Sequence, residues 1–319
     1  MNPLHQNPDP QNWLGRKSEE KEYWYQWLEN QSNLSFRNEP GKKIGVLGYP
    51  GEVGVRRNQG RPGTKDAPDL IRKFWGSSAY HLQMEILAID YGNILTLNND
   101  LESTHEKITE SVHSLLVSQH FPILLGGGHD LAYAHGKGIF RYLIPKGEKL
   151  GIINLDAHFD LRPLVQGKGH SGSPFFQLAQ EYPQNFHYLA WGIQEAANPK
   201  SLFETAKSVH AKFFTMEEIQ SKSWDFLEQQ LVGFMDSVNK IYLSIDLDGF
   251  SSAFAPGVSA PSPMGFSPEL AFKVLELIAK SKKLISMDVV ELNPRFDQDN
   301  ATARLAARCI EFILRKNFG

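Results

Sequence analysis

The sequence predicts an α/β fold built on a mainly parallel β-sheet with helices on both faces. From Lys43 onward, apolar runs of strand length alternate with amphipathic stretches of helix length, and this repetition is typical of parallel sheets covered on both sides. In addition, polar clusters follow several of the apolar runs directly. Ligand sites in open parallel sheets gather at the carboxyl ends of strands, so these clusters fit the same fold.

Seven apolar runs are the predicted strands. The segment 267–280 illustrates the predicted helices, because Ser267 suits an N-cap and Pro268 suits the first helical position. Its apolar residues recur at helical spacing and share one face. The predicted strands span residues 44–47, 85–89, 122–125, 150–155, 186–190, 240–245 and 283–289.

The chain of 319 residues is expected to form a single domain over residues 1–319, with 1–40 as an N-terminal helical extension. Within the extension, Trp24, Trp27 and Leu28 fit the apolar face of an amphipathic helix over 16–30. Such a helix would either form an oligomer contact or a lid, or pack on its own domain.

Composition excludes several classes of partner. The 33 basic and 36 acidic residues give a net charge of -3, so there is no overall field that would attract nucleic acid. No window approaches the roughly 20 apolar residues of a membrane helix. The single cysteine, Cys309, cannot form an intrachain disulfide. We therefore expect a cytoplasmic protein with a small-molecule partner and no nucleic-acid or membrane partner, and a homo-oligomer is possible.

Ionisable residues follow four of the predicted strands where these strands end. In an extended backbone, residues i, i+2 and i+4 point to one side, so the groups after strands 150–155 and 240–245 can each converge. Four crowded carboxylates would repel one another unless positive charge compensates them, and two divalent cations supply four positive charges. The candidate metal ligands are His129, Asp156, His158, Asp160, Asp246 and Asp248, and Glu291 follows the fourth strand.

Oxygen-rich ligation with two imidazoles and no thiolate favours Mn²⁺, tolerates Mg²⁺, Co²⁺, Ni²⁺ or Zn²⁺, and argues against Ca²⁺. Two such ions about 3.5 to 4 Å apart can share a hydroxide and direct it at an electrophilic carbon. Each motif alone is weak evidence for a metal site. For example, His129 or Asp130 could instead cap a helix that begins near Leu131. Taken together, the motifs predict a binuclear hydrolase.

The motifs GGGHD, DAHFD, SIDLD and DVVELNP, in this order, resemble the ureohydrolase family of arginases, agmatinases and formimidoylglutamases from about residue 44 onward. The resemblance implies a three-layer α/β/α sandwich and two Mn²⁺ per chain. It also implies that His129 and Asp160 hold one ion, that His158 and Asp248 hold the other, and that Asp156 and Asp246 bridge them.

Other segments, including DAHFDLRP and SGSPF, look most like the formimidoylglutamase branch. That resemblance implies hydrolysis of N-formimidoyl-L-glutamate to L-glutamate and formamide in histidine degradation. A metal-bridging hydroxide would attack the formimidoyl carbon, and Glu291 would hydrogen-bond the amidine nitrogen. Asp156 and Asp246 would bridge the two metal ions that bind this hydroxide.

Two substrate contacts are predicted beside Glu291. Arg162 could bind a substrate carboxylate with two parallel hydrogen bonds, although a structural ion pair is the alternative. Ser171 lies in the loop 167–173, which is either a substrate-contacting rim or a plain surface loop. His170 is either a proton shuttle or, as we expect, a surface histidine. One or two residues of an early loop, the Gly-, Pro- and Arg-rich segment 48–63, could also line the pocket, the choices being Arg56, Arg57, Asn58 and Arg61.

Departures from the family pattern restrict the substrate. Ser251 and Ser252 stand where arginases and agmatinases carry Asp-Pro, which argues against arginine or agmatine. The alternatives that stay open are another amidine or guanidine hydrolase, a deacetylase-like amidohydrolase with one metal ion, and a non-catalytic descendant that only binds a ligand.

Overall fold

The computed structural model describes residues 3–82 and 86–319. Within these residues ten strands form one sheet, ordered β1-β4-β3-β5-β10-β9-β6-β7-β8, and β2 also pairs with β4. Every pairing is parallel except that of β1 with β4. The strands are β1 (His5–Gln6), β2 (Leu28–Asn30), β3 (Lys43–Tyr49), β4 (Leu87–Ile94), β5 (His120–Gly126), β6 (Leu150–Leu155), β7 (His187–Ile193), β8 (Lys212–Thr215), β9 (Lys240–Asp246) and β10 (Leu284–Val290).

Helices cover both faces of the sheet. The strands bury alternate side chains in two separate apolar clusters, so that Ile152 lies in one cluster and Ile153 in the other. The helices are α1 (Val53–Arg57), α2 (Ala67–Gly76), α3 (Leu101–Val117), α4 (Leu131–Leu143), α5 (Pro174–Glu181), α6 (Lys200–Ser208), α7 (Met216–Ser221), α8 (Trp224–Asp236), α9 (Pro268–Lys280) and α10 (Ala301–Phe318).

The two apolar clusters define three layers. Helices α2, α7, α8, α9 and α10 pack with the cluster that contains Ile153, and α3, α4, α5 and α6 pack with the cluster that contains Ile152. This arrangement confirms the predicted three-layer α/β/α sandwich with a mainly parallel sheet. None of the described helices combines the length and the apolar character needed to cross a membrane.

Each of the seven predicted strands overlaps a strand of the sheet. Glu85, the first residue of one predicted strand, lies outside the described residues, and the remainder of that strand overlaps β4. The predicted start of α9 is also confirmed, because the Ser267 hydroxyl accepts a hydrogen bond from the Leu270 N–H. The short strands β1, β2 and β8 were not predicted.

The predicted N-terminal helix is wrong. The stretch 16–30 contains a 3-10 turn at Trp24–Gln26 and the strand β2, while Met1 and Asn2 lie outside the described residues. Trp24 packs on Trp75 with ring centroids 5.4 Å apart, whereas Trp27 stacks on Tyr80 at 4.5 Å. Because the aromatic rings pack against the domain and β2 pairs with β4, this segment is an arm on its own domain.

Candidate metal centre

Four neighbouring strands bring the predicted site residues to one edge of the sheet. Strands β5, β10, β9 and β6 are adjacent, and their carboxyl ends lead to His129, Glu291, Asp246 and Asp156 respectively. These side chains are buried at that edge. The structure therefore brings these predicted site residues together at the carboxyl ends of the strands, the edge where ligand sites of parallel sheets gather.

One group of ligand atoms surrounds His129. Its Nδ1 lies 2.8 Å from Asp160 Oδ2, 2.9 Å from Asp246 Oδ2 and 3.3 Å from Asp156 Oδ2. All four residues offer ligand atoms within 4.8 Å of one another. This group could hold one metal ion.

A second group adjoins the first through a shared carboxylate. His158 Nδ1 lies 3.2 Å from Asp248 Oδ2 and 3.4 Å from Asp156 Oδ1. Asp156 belongs to both groups, while Asp246 belongs to the first group only. The structure thus brings all six predicted ligands together around two positions, and their individual roles as ligands stay predictions.

Local turns produce this convergence, and the expected extended backbone does not. β6 ends at Leu155, and Asp160 adopts a left-handed φ of 50°. Asp156 Oδ1 accepts from the His158 N–H at 2.6 Å, and Asp246 Oδ1 accepts from the Asp248 N–H at 2.8 Å. Each hydrogen bond closes a tight turn that orients the carboxylate, as Asp side chains often do.

The donor set fits two divalent cations. His129 Nδ1 and Asp248 Oδ1 are buried and lack a hydrogen-bond partner within the described part of the chain. Burial raises the pKa of Asp160 to about 6. Burial, together with repulsion from Asp248 and Asp156, also raises the pKa of Asp246. Buried carboxylates of this kind need positive charge beside them, which a metal pair would provide.

Glu291 lies beside the metal-ligand cluster, next to His129. It is buried with a left-handed φ of 65°, and its Oε1 accepts from the His129 N–H at 2.8 Å. Burial and the neighbouring Asp248 raise the pKa of Glu291 to about 8. The residue also lines the cavity above the cluster, so its carboxyl group can meet a substrate.

A cavity of about 310 Å³ opens over the cluster. Arg162 and Ser171 both line it, and the exposed Arg162 side chain has no ion pair or hydrogen bond within the described residues. The alternative of a structural ion pair for Arg162 is therefore not supported. A larger groove of about 450 Å³ beside α3 lies away from these residues and contains none of the predicted ligands.

Two of the four residues from the early loop reach the cavity. Asn58 lines it and donates to Ser171 Oγ at 3.2 Å. Arg61 also lines it, but its guanidinium is held by the carbonyl of Ser259 at 2.8 Å. Arg56 and Arg57 are absent from the lining and form ion pairs with Glu52 and Glu102.

The expectation of a surface position for His170 is wrong. The side chain is buried, and its Nε2 lies 3.1 Å from the Pro163 carbonyl while its Nδ1 accepts from the Gly172 N–H at 3.2 Å. Burial lowers the pKa of His170. These hydrogen bonds stabilise the loop that carries Ser171. His170 does not line the cavity, and this position argues against a role as a proton shuttle.

Sequence reasoning missed the polar residues behind the ligands. Asn154 donates to Asp156 Oδ2 at 2.9 Å, and Ser244 Oγ lies 2.9 Å from His129 Nε2. Both are fully buried within strands. A polar residue in an otherwise apolar, buried strand was the available signal. Asp130, considered above as a helix cap, does lie at the N-cap position of α4, but its carboxylate accepts from the Tyr49 hydroxyl at 2.6 Å and forms no capping hydrogen bond.

Comparisons with known proteins identify the family. The model of the arginase family matches residues 42–314. The formimidoylglutamase of Aeromonas salmonicida (strain A449) is 39% identical over 309 residues, which cover 95% of this chain and 96% of that protein. The formimidoylglutamase of Clostridium tetani (strain Massachusetts / E88) is 36% identical over 317 residues, covering 95% of this chain and 93% of that protein.

Solved structures agree with these relatives. Formimidoylglutamase from Bacillus subtilis matches with a TM-score of 0.83 over 95% of this chain and 94% of that chain, and its 23% identity supports the fold. Trypanosoma cruzi formiminoglutamase, crystallised with Mn²⁺, is 28% identical with a TM-score of 0.77, covering 89% of this chain and 96% of that chain. With its sheet, its paired ligand groups and these matches, the chain belongs to the arginase family.

Proposed function

We propose that this protein hydrolyses N-formimidoyl-L-glutamate to L-glutamate and formamide. The observation that carries the proposal is a cavity with two His and Asp groups at its floor and, in its wall, the guanidinium of Arg162, which has no ion-pair partner among the described residues. Two metal ions held at such a floor would activate water for attack on the electrophilic carbon of an amidine. The guanidinium of Arg162 can bind a carboxylate. The curated relatives named as formimidoylglutamases support this choice of substrate.

The two groups would hold two Mn²⁺ per chain. His129 and Asp160 would bind one ion, and His158 and Asp248 would bind the other. Asp156 would lie between them, as its membership of both groups suggests, and Asp246 would be the second bridge. When bound, the two ions supply positive charge that lowers the pKa of water toward neutrality.

Glu291 would orient the formimidoyl group. An amidinium is a planar cation, and a carboxylate beside it accepts hydrogen bonds from its nitrogen atoms. In the reaction, the oxygen of water bonds to the formimidoyl carbon and the bond from that carbon to the glutamate nitrogen breaks. The glutamate nitrogen takes up a proton, and the carbon leaves with the other nitrogen as formamide.

Arg162 and Ser171 would recognise the glutamate part of the substrate. The Arg162 guanidinium can donate two parallel hydrogen bonds to a carboxylate, and the Ser171 hydroxyl lines the same cavity. Arg61 is less suited to this role because its guanidinium is held by main-chain carbonyls and lies 3.7 Å from the ring of Phe296.

A substrate panel with a defined metal tests the proposal. Protein loaded with Mn²⁺ should release glutamate and formamide in equal amounts from N-formimidoyl-L-glutamate. The same preparation should release little or no urea from arginine, agmatine or 4-guanidinobutyrate. Urea from one of these guanidines, without formamide, would assign the chain to another amidine or guanidine specificity. No turnover of any compound would favour a binding protein.

We also propose a cytoplasmic location. The one cysteine, Cys309, is buried as a free thiol, and it fits a reducing compartment. Assembly into a homo-oligomer is a further proposal that sedimentation of the purified protein would test.

A further inference from the structure

Two side chains from different segments meet in the wall of the cavity. Asn58 belongs to the early loop and directly follows α1, and Ser171 belongs to the loop 167–173. Asn58 Nδ2 donates to Ser171 Oγ at 3.2 Å, and both residues line the cavity. Ser171 is buried, whereas Asn58 is half-buried. The reaction proposed above gives Asn58 no role.

The direction of this hydrogen bond leaves the Ser171 proton free. An amide N–H donates, so the Ser171 oxygen is the acceptor. A hydroxyl group keeps one proton of its own, and among residues 3–82 and 86–319 the Ser171 hydroxyl donates to no other group. Since the side chain lines the cavity, this proton is available to an acceptor that enters the cavity, such as a carboxylate oxygen.

The main chain ties both residues to a single carbonyl group. The Gly54 carbonyl of α1 accepts from the Asn58 N–H and from the Ser171 N–H, each at 3.1 Å. One acceptor therefore holds the end of α1 against the loop of Ser171. Arg57 adds a second tie, because its guanidinium donates to the Gly169 carbonyl at 3.0 Å. The Asn58 amide thus faces Ser171 from a fixed position.

Arg162 belongs to the same part of the wall. Gly172 lies between the side chains of Asn58 and Arg162, because a Cβ atom at Gly172 would lie 2.9 Å from Asn58 Nδ2 and 3.0 Å from Arg162 Cδ. The Gly172 carbonyl also accepts from the Arg162 N–H at 2.9 Å. The absence of a side chain at Gly172 therefore lets the Asn58 amide and the Arg162 stem pack on the same piece of backbone.

We propose that Asn58 is a positioning residue for substrate binding, which holds the Ser171 hydroxyl so that its proton points at the carboxylate that Arg162 binds. The inference rests on the proposed function in one respect, namely that the ligand of this wall carries a carboxylate. It needs no particular amidine or guanidine. A charged acceptor makes the arrangement effective, because hydrogen bonds to charged groups are stronger than those between neutral groups.

Removal of the Asn58 amide would leave the Ser171 side chain free to rotate. The ligand would then have to order this side chain on binding, whereas in the wild type folding has already ordered it. A hydrogen bond between neutral groups corresponds to roughly 3- to 10-fold in a binding constant. The direct hydrogen bond from Ser171 to a carboxylate corresponds to roughly 10- to 100-fold.

The test is a double-mutant cycle of Asn58→Ala, Ser171→Ala and the variant that carries both changes. The full-length protein is loaded with Mn²⁺, and calorimetry measures the dissociation constant of L-glutamate, which has the carboxylates without the amidine. Asn58→Ala should weaken binding roughly 3- to 10-fold, and Ser171→Ala roughly 10- to 100-fold. Once Ser171 is alanine, the further loss of Asn58 should change the dissociation constant by less than about twofold.

The cycle separates positioning from packing. An Asn58 side chain that only supported the fold would not depend on the Ser171 hydroxyl, so its removal would weaken binding as much in Ser171→Ala as in the wild type. In turnover of N-formimidoyl-L-glutamate, Asn58→Ala should raise KM by the factor seen for L-glutamate and change kcat by less than about twofold. A loss confined to kcat would contradict the proposal.

Asn239→Ala is the matched control. Asn239 also forms a side-chain hydrogen bond, in which its Oδ1 accepts from the Lys149 N–H at 2.8 Å, but it lies at the opposite end of β9 from Asp246. This variant should keep the wild-type dissociation constant and KM. A loss equal to that of Asn58→Ala would attribute the effect to general stability and would overturn the positioning role.

Gly172→Ala disturbs the wall without removing a polar group. The backbone at Gly172 is not left-handed, so alanine fits it, but the added Cβ must displace the Asn58 amide or the Arg162 stem. L-Glutamate binding should weaken by roughly threefold or more. The control is Gly233→Ala in α8, where an added Cβ meets no described atom within 4 Å, and this variant should bind as the wild type does. Unchanged binding in Gly172→Ala would contradict the proposed wall.

The possible failures are separable. A wild type that binds L-glutamate but releases no formamide from N-formimidoyl-L-glutamate would overturn the proposed substrate, and the binding cycle would still decide the role of Asn58. A wild type that hydrolyses this substrate, with losses in the cycle that add, would overturn only the positioning role. A wild type that neither binds L-glutamate nor turns over the substrate would overturn both.

Discussion

Replacement of Arg162 by alanine tests the substrate side of the site. The guanidinium is exposed at the cavity and has no ion pair within the described residues, so its removal should leave the folded state intact. A hydrogen bond to a charged group contributes about 1.5–3 kcal/mol. Because Arg162 is exposed, we take about 2–3 kcal/mol as the binding free energy that its two hydrogen bonds to the substrate carboxylate contribute together. Since about 1.4 kcal/mol corresponds to a factor of ten, kcat/KM should fall roughly 30- to 150-fold.

Steady-state release of formamide from N-formimidoyl-L-glutamate measures this effect. Most of the loss should lie in KM, because Arg162 would bind the substrate at a distance from the reacting carbon. Arg162→Lys should recover only part of it, since an ammonium lacks the planar pair of donors.

Arg56→Ala is the matched control for this prediction. Arg56 belongs to the early loop, but it pairs with Glu52 and does not line the cavity, so the variant should keep the wild-type KM. An Arg162→Ala enzyme with an unchanged KM, or an equal loss in Arg56→Ala, would refute the assignment of Arg162 to the substrate carboxylate.

Three further predictions follow from the centre and the core. Asp156→Ala and Asp246→Ala should each lose metal ions and turnover while retaining the far-ultraviolet circular dichroism of the wild type, and full turnover in either would contradict the site. Burial raises the pKa of the Cys309 thiol to about 12, so a disulfide reagent should modify it only when the protein is unfolded, and rapid labelling of native protein would count against its burial. Burial, with repulsion from Lys43, lowers the pKa of His120 to about 4 from an unfolded value of about 6.5. The unfolded chain therefore binds the proton first, and stability should be lost as the pH falls from about 6.5 to about 4. In that range the Tm of the wild type should fall more steeply than that of His120→Gln, and parallel pH profiles would contradict the assignment.

The central sheet and the convergence of the six candidate ligands were predictable because each depends on local sequence. Buried parallel strands are continuous apolar runs, and a charged residue directly after such a run, as Asp156 follows Leu155, marks both the strand end and the candidate site. An extended backbone was expected to bring the ligands of each group together, and this expectation was wrong because of the local backbone conformation. Asp160 reaches the cluster through a left-handed backbone, and helical or strand periodicity does not predict that conformation.

The N-terminal arm was not predictable from periodicity. Trp24 and Trp27 have the spacing of a helix face, but they contact different partners, Trp75 and Tyr80, which lie about 50 residues away in sequence. The edge of β4 that does not pair with β3 also forms backbone hydrogen bonds with β2. Tertiary contacts of this kind override the local pattern.

The hydrogen-bond network that runs behind His129 from Ser244 to Asp288 and His135 depends on contacts between distant segments in the same way. Ser244, Asp288 and His135 come from β9, β10 and α4, and their partners become evident only when these elements are adjacent. The sequence did contain one sign of the network, namely polar residues inside buried strands. A buried polar side chain needs a partner, so Ser244 and Asp288 could have been selected for attention but not paired.

The number of metal ions needed for turnover tests the central claim most directly. Metal-free protein should be titrated with Mn²⁺ while bound metal per chain and formamide release from N-formimidoyl-L-glutamate are measured on the same samples. The two adjoining ligand groups predict that turnover reaches its maximum at two ions per chain. Full turnover at one ion per chain, or in fully metal-free protein, would contradict a binuclear hydrolase.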